Sequence, residues 1–413
     1  MDAPASSVLP PTGHATNEFL DRARRWRKQV DAAVPWLSTT AALAHTGTTL
    51  ARDVVGIVRG MHGTISSATP PIGVHPEGQT RGITKLVYDC VDMGFAGTES
   101  VFSTLAEHLP NDGPMPAQWL PVQAAINGVL GDRLEASGNR LAMTMRRVGG
   151  RGTGRHRVMF LHGLCMSEQG FAGSAHRHLT DDLVTRGFSV EYVRYNTGRH
   201  ISDNGADLDR LLEQLAADRT IDNLSLVGHS MGGLVMRSAL AQAESHGHQW
   251  PERLRHAVYI GSPHHGAPLE RLGNHANRLL KISPYTAPFM RLGNIRSAGI
   301  QDLRHGGILP GDWQNRECPD DIRDLRRCPP LAASVRHTLI AATRSMELPT
   351  APAVPLDDYL VPVHSALGIC PENRNTLNAP RIDRHTLTGS HHMHLLSGRA
   401  VHKLIHAAVT ARA

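Results

Sequence analysis

Two hydrophobic periods divide the chain. From residue 17 to about 136, apolar positions recur at helical spacing, as at Ile83, Leu86 and Val87, which is the spacing of one helix face. From residue 141, short apolar runs alternate with longer amphipathic stretches. The change predicts three parts: a flexible arm at 1–16, a helical region at 17–136, and a different domain at 137–413.

The short apolar runs of the second part have the length and composition of buried strands. They include "HRVMFLHG", "FSVEYVRY", "NLSLVG", "LRHAVYIGS" and "VRHTLIAAT". Helical stretches separate several of them, among them "DNGADLDRLLEQLAADR" and "GGLVMRSALAQAESH". Apolar strands that alternate with helices favour an α/β fold, with a mostly parallel sheet covered by helices on both faces.

Three local patterns complete this outline. The runs "LAMTMRRV" and "HRVMFLHG", with "GGRGTG" between them, predict two strands joined by a Gly-rich turn. Residues 267–330 are rich in Arg, Gly and Pro and interrupt the alternation. We interpret them as a lid-like insertion over the carboxyl edge of the sheet. A final helix is predicted near 394–411.

One Gly-x-Ser-x-Gly pattern occurs, in "LVGHSMGGL", and it places Ser230 between the run "LSLV" and a helical stretch. Strand, sharp turn and helix are the context in which such a serine is an exposed nucleophile. Gly228 and Gly232 fit a turn in which side chains would clash with the neighbouring strand and helix. The helix that follows would place partial positive charge near a developing anion. Ser230 is therefore the candidate nucleophile.

A serine nucleophile needs a base, and the base needs an acid that orients it. In this class of fold the acid and then the histidine follow the serine along the chain. Asp357 and Asp358 occupy the loop after "VRHTLIAAT", and His391, His392 and His394 precede the last helix. These residues alone leave the choice of acid and base open. The three histidines lack a carboxylate at a common ligand spacing, so we expect neither a metal nor a cofactor.

An anionic intermediate would also need two backbone N–H donors. One is expected from Met231, directly after the nucleophile, and the other from the "HGLC" loop that follows "VMFL". Gly163 allows that loop to turn sharply, so that Leu164 presents its N–H group. Leu164 and Met231 are the predicted oxyanion donors.

Together, these motifs resemble those of the α/β-hydrolase superfamily, in its lipase and esterase branch. The resemblance rests on "VMFLHGL", "LSLVGHSMGGLV", "YIGSPHHGAP", "LDDYLVPVHSALG" and "HHMHLLSGRAV", which span roughly 155 to 405. That branch includes an α/β domain similar to the enzyme that deacylates the inositol of glycosylphosphatidylinositol anchors. The resemblance implies Asp358 as the acid, with Tyr359 where the family usually has glycine, and His392 as the base.

Charge and composition narrow the partners. The formal net charge is +6, but the basic residues are scattered and aromatics are 4% of the chain, so nucleic-acid binding is not expected. The N-terminus lacks a signal-peptide pattern, and no apolar run is long enough to span a membrane. We therefore expect a cytoplasmic protein. An apolar stretch within the helical region leaves peripheral membrane contact open, and the sequence does not predict an oligomeric state.

The sequence thus predicts a serine hydrolase that cleaves carboxylic esters of small-molecule or lipid-like substrates. Two alternatives remain. The same triad would serve an acyltransferase or a thioesterase, in which the acyl donor or acceptor differs. A protein of another class, a non-catalytic or membrane-docking module, could also use a hydrolase fold.

Overall fold

The computed structural model of the protein describes residues 120–136, 138–139, 141–267, 297–314, 326, 328–346, 357–370 and 375–411. The predicted arm and most of the predicted helical region lie outside these residues, as do large parts of the lid-like insertion. The predicted division into these three parts therefore stays a prediction.

The described elements alternate in the manner of an α/β domain. The strands are β1 Arg146–Arg151, β2 His156–Leu161, β3 Phe188–Arg194, β4 Asn223–His229, β5 Leu254–Ile260, β6 Arg336–Ala342 and β7 Ile382–Leu387. The helices are α1 Leu120–Ala136, α2 Ser174–Thr185, α3 Ile201–Ala216, α4 Met231–His246, α5 Trp250–Arg253, α6 Ala298–His305, α7 Gly311–Gln314, α8 Val363–Ala366, α9 His394–Ser397 and α10 Arg399–Thr410. A short 3-10 turn spans Glu168–Phe171.

The described strands form one sheet in the order β1-β3-β2-β4-β5-β6-β7. β1 runs antiparallel to β3, and the other neighbours are parallel. The registers Leu161↔Gly228 and Gly228↔Tyr259 align the ends of the three central strands. Because parallel strands end at the same edge, the loops that follow β2, β4 and β5 meet there.

Apolar side chains on both faces of the central strands explain why helices cover both sides. Met159 and Leu161 of β2 belong to a buried cluster that includes residues of α3 and α4. Val158 and Phe160, which point to the opposite face, belong to a second cluster with residues of α2 and α10. Successive side chains of one strand thus point to opposite faces and contribute to two separate hydrophobic cores. The predicted α/β architecture with a mostly parallel sheet is confirmed.

Three elements differ from the sequence-based expectation. β7 and α2 were not predicted, and the last predicted helix is two helices separated by Gly398. The two strands expected to be joined by a turn are not neighbours, because β3 lies between them. Their connection crosses the start of β3 so closely that a Cβ on Gly154 would lie 1.8 Å from the carbonyl oxygen of Gly187.

The described part of the predicted insertion is packed onto the domain. The indole N–H of Trp313 donates to Ser202 Oγ over 3.0 Å. Asp302 Oδ2 accepts from the backbone N–H of Ile201 over 2.8 Å. This part therefore caps the beginning of α3, and a lid role for the insertion stays a prediction. None of the described helices is long and apolar enough to cross a membrane.

Candidate active site

Ser230 lies at the sharp turn between β4 and α4. Its φ is 53° and its ψ is −120°, a left-handed conformation that side-chain-bearing residues rarely adopt. The backbone N–H of Ser230 donates to Ile260 O over 2.8 Å, which ties the turn to the end of β5. Such a strained position at a helix start is typical of the nucleophile elbow.

Gly228 and Gly232, on either side of Ser230, are required for the steric reason expected from the sequence: a side chain at either position would clash. A Cβ on Gly228 would lie 2.5 Å from the backbone nitrogen of Gly233. A Cβ on Gly232 would lie 2.6 Å from the carbonyl oxygen of Leu161. Both distances are shorter than any ordinary contact, so only glycine allows strand and helix to approach this closely.

Asp358 and His392 form a buried pair at the same edge of the sheet. The Nδ1 atom of His392 lies 2.7 Å from Asp358 Oδ2. The other carboxylate oxygen accepts the backbone N–H groups of Leu360 and Val361 over 2.9 and 2.8 Å. Three donors thus hold the carboxylate in place, and the Nε2 atom of His392 is left for another partner.

The alternative acid and bases lie elsewhere. Asp357 Oδ1 accepts the backbone N–H of Tyr359 over 3.0 Å and lies 3.5 Å from Arg344 Nη2. His391 and His394 stack on each other with ring centroids 3.5 Å apart. Among the candidate acids and bases, the structure joins one acid side chain to one base side chain by a hydrogen bond, Asp358 to His392.

Ser230 and the ring of His392 both flank the end of β5. Ser230 is bonded to Ile260, and a Cβ on the next residue, Gly261, would lie 3.1 Å from Cε1 of His392. The exposed fractions of Ser230 and His392 are 7% and 3%. The nucleophile and base candidates are therefore both buried beside the end of β5.

The "HGLC" loop lies against the nucleophile. A Cβ on Gly163 would lie 3.1 Å from the Cβ of Ser230. The next residue but one, Cys165, has a φ of 58° and donates its backbone N–H to Thr197 Oγ1 over 3.1 Å. Leu164 therefore sits between a residue that contacts Ser230 and a residue fixed by Thr197. The N–H of Met231 is the first of α4, where no intrahelical acceptor exists.

Two further histidines, His229 and His162, lie beside the site, and the sequence motifs did not predict a role for them. The ring of His229 lies 4.8 Å from that of His392, centroid to centroid. Burial lowers the pKa of His229 well below its ordinary value, and the neighbouring His392 adds to this effect. A neutral ring beside His392 would repel an imidazolium less than a charged one. The only sequence signal was its place inside the Gly-x-Ser-x-Gly pattern.

His162 holds the start of the same loop. Its Nδ1 atom lies 3.0 Å from Gly163 O, and its ring stacks on Tyr195 with centroids 4.4 Å apart. The hydroxyl of Tyr195 donates to His162 O over 2.6 Å. Burial lowers the pKa of His162 to about 4, so the ring is neutral at physiological pH and packs as a structural group.

One cluster of the described residues has the composition of a metal site. The potential ligand atoms of Asp209, His246 and His248 lie within 4.8 Å of one another. Asp209 Oδ2 and Oδ1 lie 2.8 Å from the Nδ1 atoms of His246 and His248, and Oδ1 also accepts the indole N–H of Trp250 over 2.7 Å. These contacts satisfy the carboxylate by hydrogen bonds. The cluster lies at the end of α4 remote from Ser230.

The sheet order, the strained serine turn and the buried Asp–His pair together have the arrangement of an α/β-hydrolase fold. Residues 152–321 match the family model described as "PGAP1-like alpha/beta domain". The predicted family resemblance is therefore confirmed. A search of the curated proteins found no match.

Solved structures with similar folds include lipases and thioesterases. A lipase from Bacillus licheniformis, BlEst2 in its mature form, is 16% identical, with a TM-score of 0.43 over 65% of this chain and 98% of the other. The RedJ thioesterase of Streptomyces coelicolor is 18% identical, with a TM-score of 0.37 over 62% and 90%. Mouse alpha/beta hydrolase domain-containing protein 10 is 14% identical, with a TM-score of 0.37 over 64% and 91%.

Proposed function

We propose that this protein is a serine hydrolase that cleaves carboxylic esters through an acyl-enzyme intermediate. The observation that carries the proposal is the positive φ of 53° at Ser230, at the start of α4. A serine is strained there, and strain of this kind is retained where it serves the chemistry. The Asp358–His392 contact at the same edge supplies the matching base.

Ser230 is the nucleophile in this proposal. Its Oγ atom attacks the ester carbonyl carbon, and Nε2 of His392 takes the hydroxyl proton. Asp358 accepts a hydrogen bond from Nδ1–H of His392, which sets the tautomer and stabilises the imidazolium that forms. The same proton then passes to the departing alkoxide, so that the alcohol leaves neutral. A water molecule, deprotonated by His392, releases the acid and restores Ser230.

The negative charge of the tetrahedral intermediate needs fixed donors. We assign this role to the backbone N–H groups of Leu164 and Met231. Removal of one such donor in a serine hydrolase costs about 3 to 4 kcal/mol of transition-state stabilisation. The Gly163–Ser230 proximity supports the assignment of Leu164, and the start of α4 directly after the nucleophile supports that of Met231.

The triad does not distinguish an ester from a thioester, because both present an acyl carbonyl to the serine. An assay panel separates these substrate classes. It contains p-nitrophenyl esters of graded chain length and an acyl thioester, with and without an added alcohol. Faster release from the thioester would favour a thioesterase, and transfer to the alcohol in preference to water would favour an acyltransferase.

A fluorophosphonate probe tests the proposal directly, with Ser230→Ala as the control. We expect covalent labelling of the folded wild type at Ser230 and none of the variant. If the wild-type protein is unlabelled under conditions in which a known serine esterase reacts, the proposal is wrong and a non-catalytic module becomes the better interpretation.

A further inference from the structure

Helix α1 precedes the residues that match the family model, yet it contacts the loop after β2. Gly128 of α1 faces Cys165, and a Cβ there would lie 2.1 Å from Cys165 Sγ and 2.9 Å from Cys165 Cα. The contact therefore involves the backbone of the loop as well as a side-chain tip. Burial raises the pKa of the Cys165 thiol to about 12, so this thiol fills space and is not a reactive thiolate.

The same helix also holds the loop after β3. Asn196 Nδ2 donates to Gly131 O over 2.9 Å. A Cβ on Gly198 would lie 2.1 Å from Asn127 O. Between these two loop residues lies Thr197, whose hydroxyl accepts the backbone N–H of Cys165. Cys165 is thus held from two sides, directly by α1 and through a loop that α1 also holds.

A third contact joins α1 to the start of α6. Ser297 Oγ donates to Gly128 O over 2.6 Å, and the N–H of Ala298 donates to Asp132 Oδ2 over 3.0 Å. Gly299, one residue further, lies against the nucleophile's neighbour: a Cβ there would lie 3.2 Å from Cε of Met231. Helix α1 therefore touches segments on both sides of the candidate oxyanion hole.

We infer that α1 supports the active site by holding the loop after β2, and that Gly128 is a positioning residue for the Leu164 N–H. The inference rests on the proposed function, because it concerns the oxyanion donor of that reaction. Cys165 follows Leu164 directly and has a positive φ. Its rotation or displacement would therefore move the Cα atom of Leu164 through the 164–165 peptide, and this movement would turn the preceding 163–164 peptide, which carries the Leu164 N–H. Gly128 prevents this by leaving room for Cys165.

The test is Gly128→Ala in the full chain. Its Cβ meets the Cys165 backbone, so we expect kcat to fall about tenfold or more while KM changes less than threefold, since an oxyanion donor acts mainly in the transition state. Affinity for a trifluoromethyl ketone, which mimics the intermediate, should fall by a similar factor. The variant Gly128→Ala with Cys165→Gly removes the nearest clash and should recover part of kcat.

The matched control is Gly205→Ala, another buried helical glycine, in α3. Its Cβ would lie 2.2 Å from Ser238 Oγ, so it clashes with a side chain of α4 and not with the Leu164–Cys165 backbone. We expect comparable destabilisation in urea but a much smaller change of kcat. An equal fall of kcat in both variants, or an unchanged kcat in Gly128→Ala, would overturn the inference.

A second measurement separates this inference from the proposed function. Hydrogen exchange of the peptide around residues 161–167 should increase in Gly128→Ala and not in Gly205→Ala. If the wild type neither hydrolyses esters nor reacts with a fluorophosphonate, the proposed function fails, and the exchange result still shows whether Gly128 holds this loop. Unchanged exchange together with an active wild type would overturn only the inference.

Discussion

Two buried aspartates from other segments bind histidines near the two ends of α4, and the two clusters are built differently. At the start of the helix, Asp358 binds one histidine, and two backbone N–H groups take its other oxygen. At the far end, Asp209 binds His246, His248 and the indole of Trp250. About 24 Å of helix separates Ser230 from His246, at 1.5 Å per residue.

The difference lies in what each histidine can reach with its second nitrogen. The ring of His392 is buried and lies beside the serine turn. His246 is 49% exposed and His248 is 26% exposed at the side chain. A His–Asp pair becomes a catalytic pair only where the second nitrogen faces a nucleophile. Elsewhere such a pair stabilises the packing of neighbouring segments. Asp209 of α3 does this by binding His246 at the end of α4 and His248 in the loop that follows.

The sharpest test of this comparison is the same substitution at both ends. Asp358→Asn keeps an oxygen for the backbone donors of Leu360 and Val361 but presents an NH₂ group to His392. The imidazole must then carry its proton on the wrong nitrogen. We expect kcat to fall about 10⁴-fold, the effect of the equivalent change in a well-studied protease, with the fold intact. Ester hydrolysis and circular dichroism provide the measurements.

Asp209→Asn should show the opposite pattern. One amide cannot satisfy the donors that the carboxylate accepts, so charge-assisted hydrogen bonds are lost from a buried position. We expect about 2 kcal/mol less free energy of unfolding in urea and a kcat within twofold of the wild type. A large loss of kcat in this variant, at a temperature where it is fully folded, would contradict the separation of the two clusters.

The Asp209 cluster also predicts a pH dependence of stability. The hydrogen bond and charge of Asp209 raise the pKa of His248 above its ordinary value of 6.5. A raised pKa in the folded state stabilises fully below pH 6.5 and loses that contribution as the pH rises through the folded value. The stability difference between the wild type and His248→Gln should therefore shrink from pH 6 to pH 9 in urea titrations. A difference that grows over this range would count against the interpretation.

The smallest expected effect concerns Tyr359, which follows the candidate acid Asp358 and has a φ of 82°. Its ring lies under Arg344, with the guanidinium carbon 4.0 Å from the ring centroid. Tyr359→Ala loses this contact and keeps the backbone strain, whereas Tyr359→Gly loses the contact and relieves the strain. We expect the glycine variant to be about 1 kcal/mol more stable than the alanine variant. Equal stabilities in urea would show that this turn stores no strain.

The sequence predicted the elements with the strongest local signals. The apolar runs of β2, β4, β5 and β6 are buried from both faces, so they contain few polar residues and are easily recognised. β7 escaped prediction because it is an edge strand, with mostly half-buried positions and the sequence "IDRHTL". An edge strand is covered less completely, and polar residues are tolerated there.

The candidate site divides in the same way. Ser230 could be identified from five neighbouring positions, because the elbow is a local structure whose glycines have local steric reasons. The choice of Asp358 over Asp357 depended on a family pattern that Tyr359 does not match. The positive φ at Tyr359 explains the mismatch, since a glycine would adopt that conformation without strain. The backbone conformation, and not the residue type, is what the position requires.

What the sequence alone determined were the features that neighbouring residues impose on one another: the strand and helix periods, the serine turn and the order of the triad candidates. The tertiary structure decided which groups meet across long separations. It joined Asp358 to His392, Asp209 to a histidine pair beyond the next strand, and Gly128 to Cys165. Such contacts depend on how strands are ordered and how closely helices approach. No local pattern records those distances, because they arise only when the sheet and its two cores assemble.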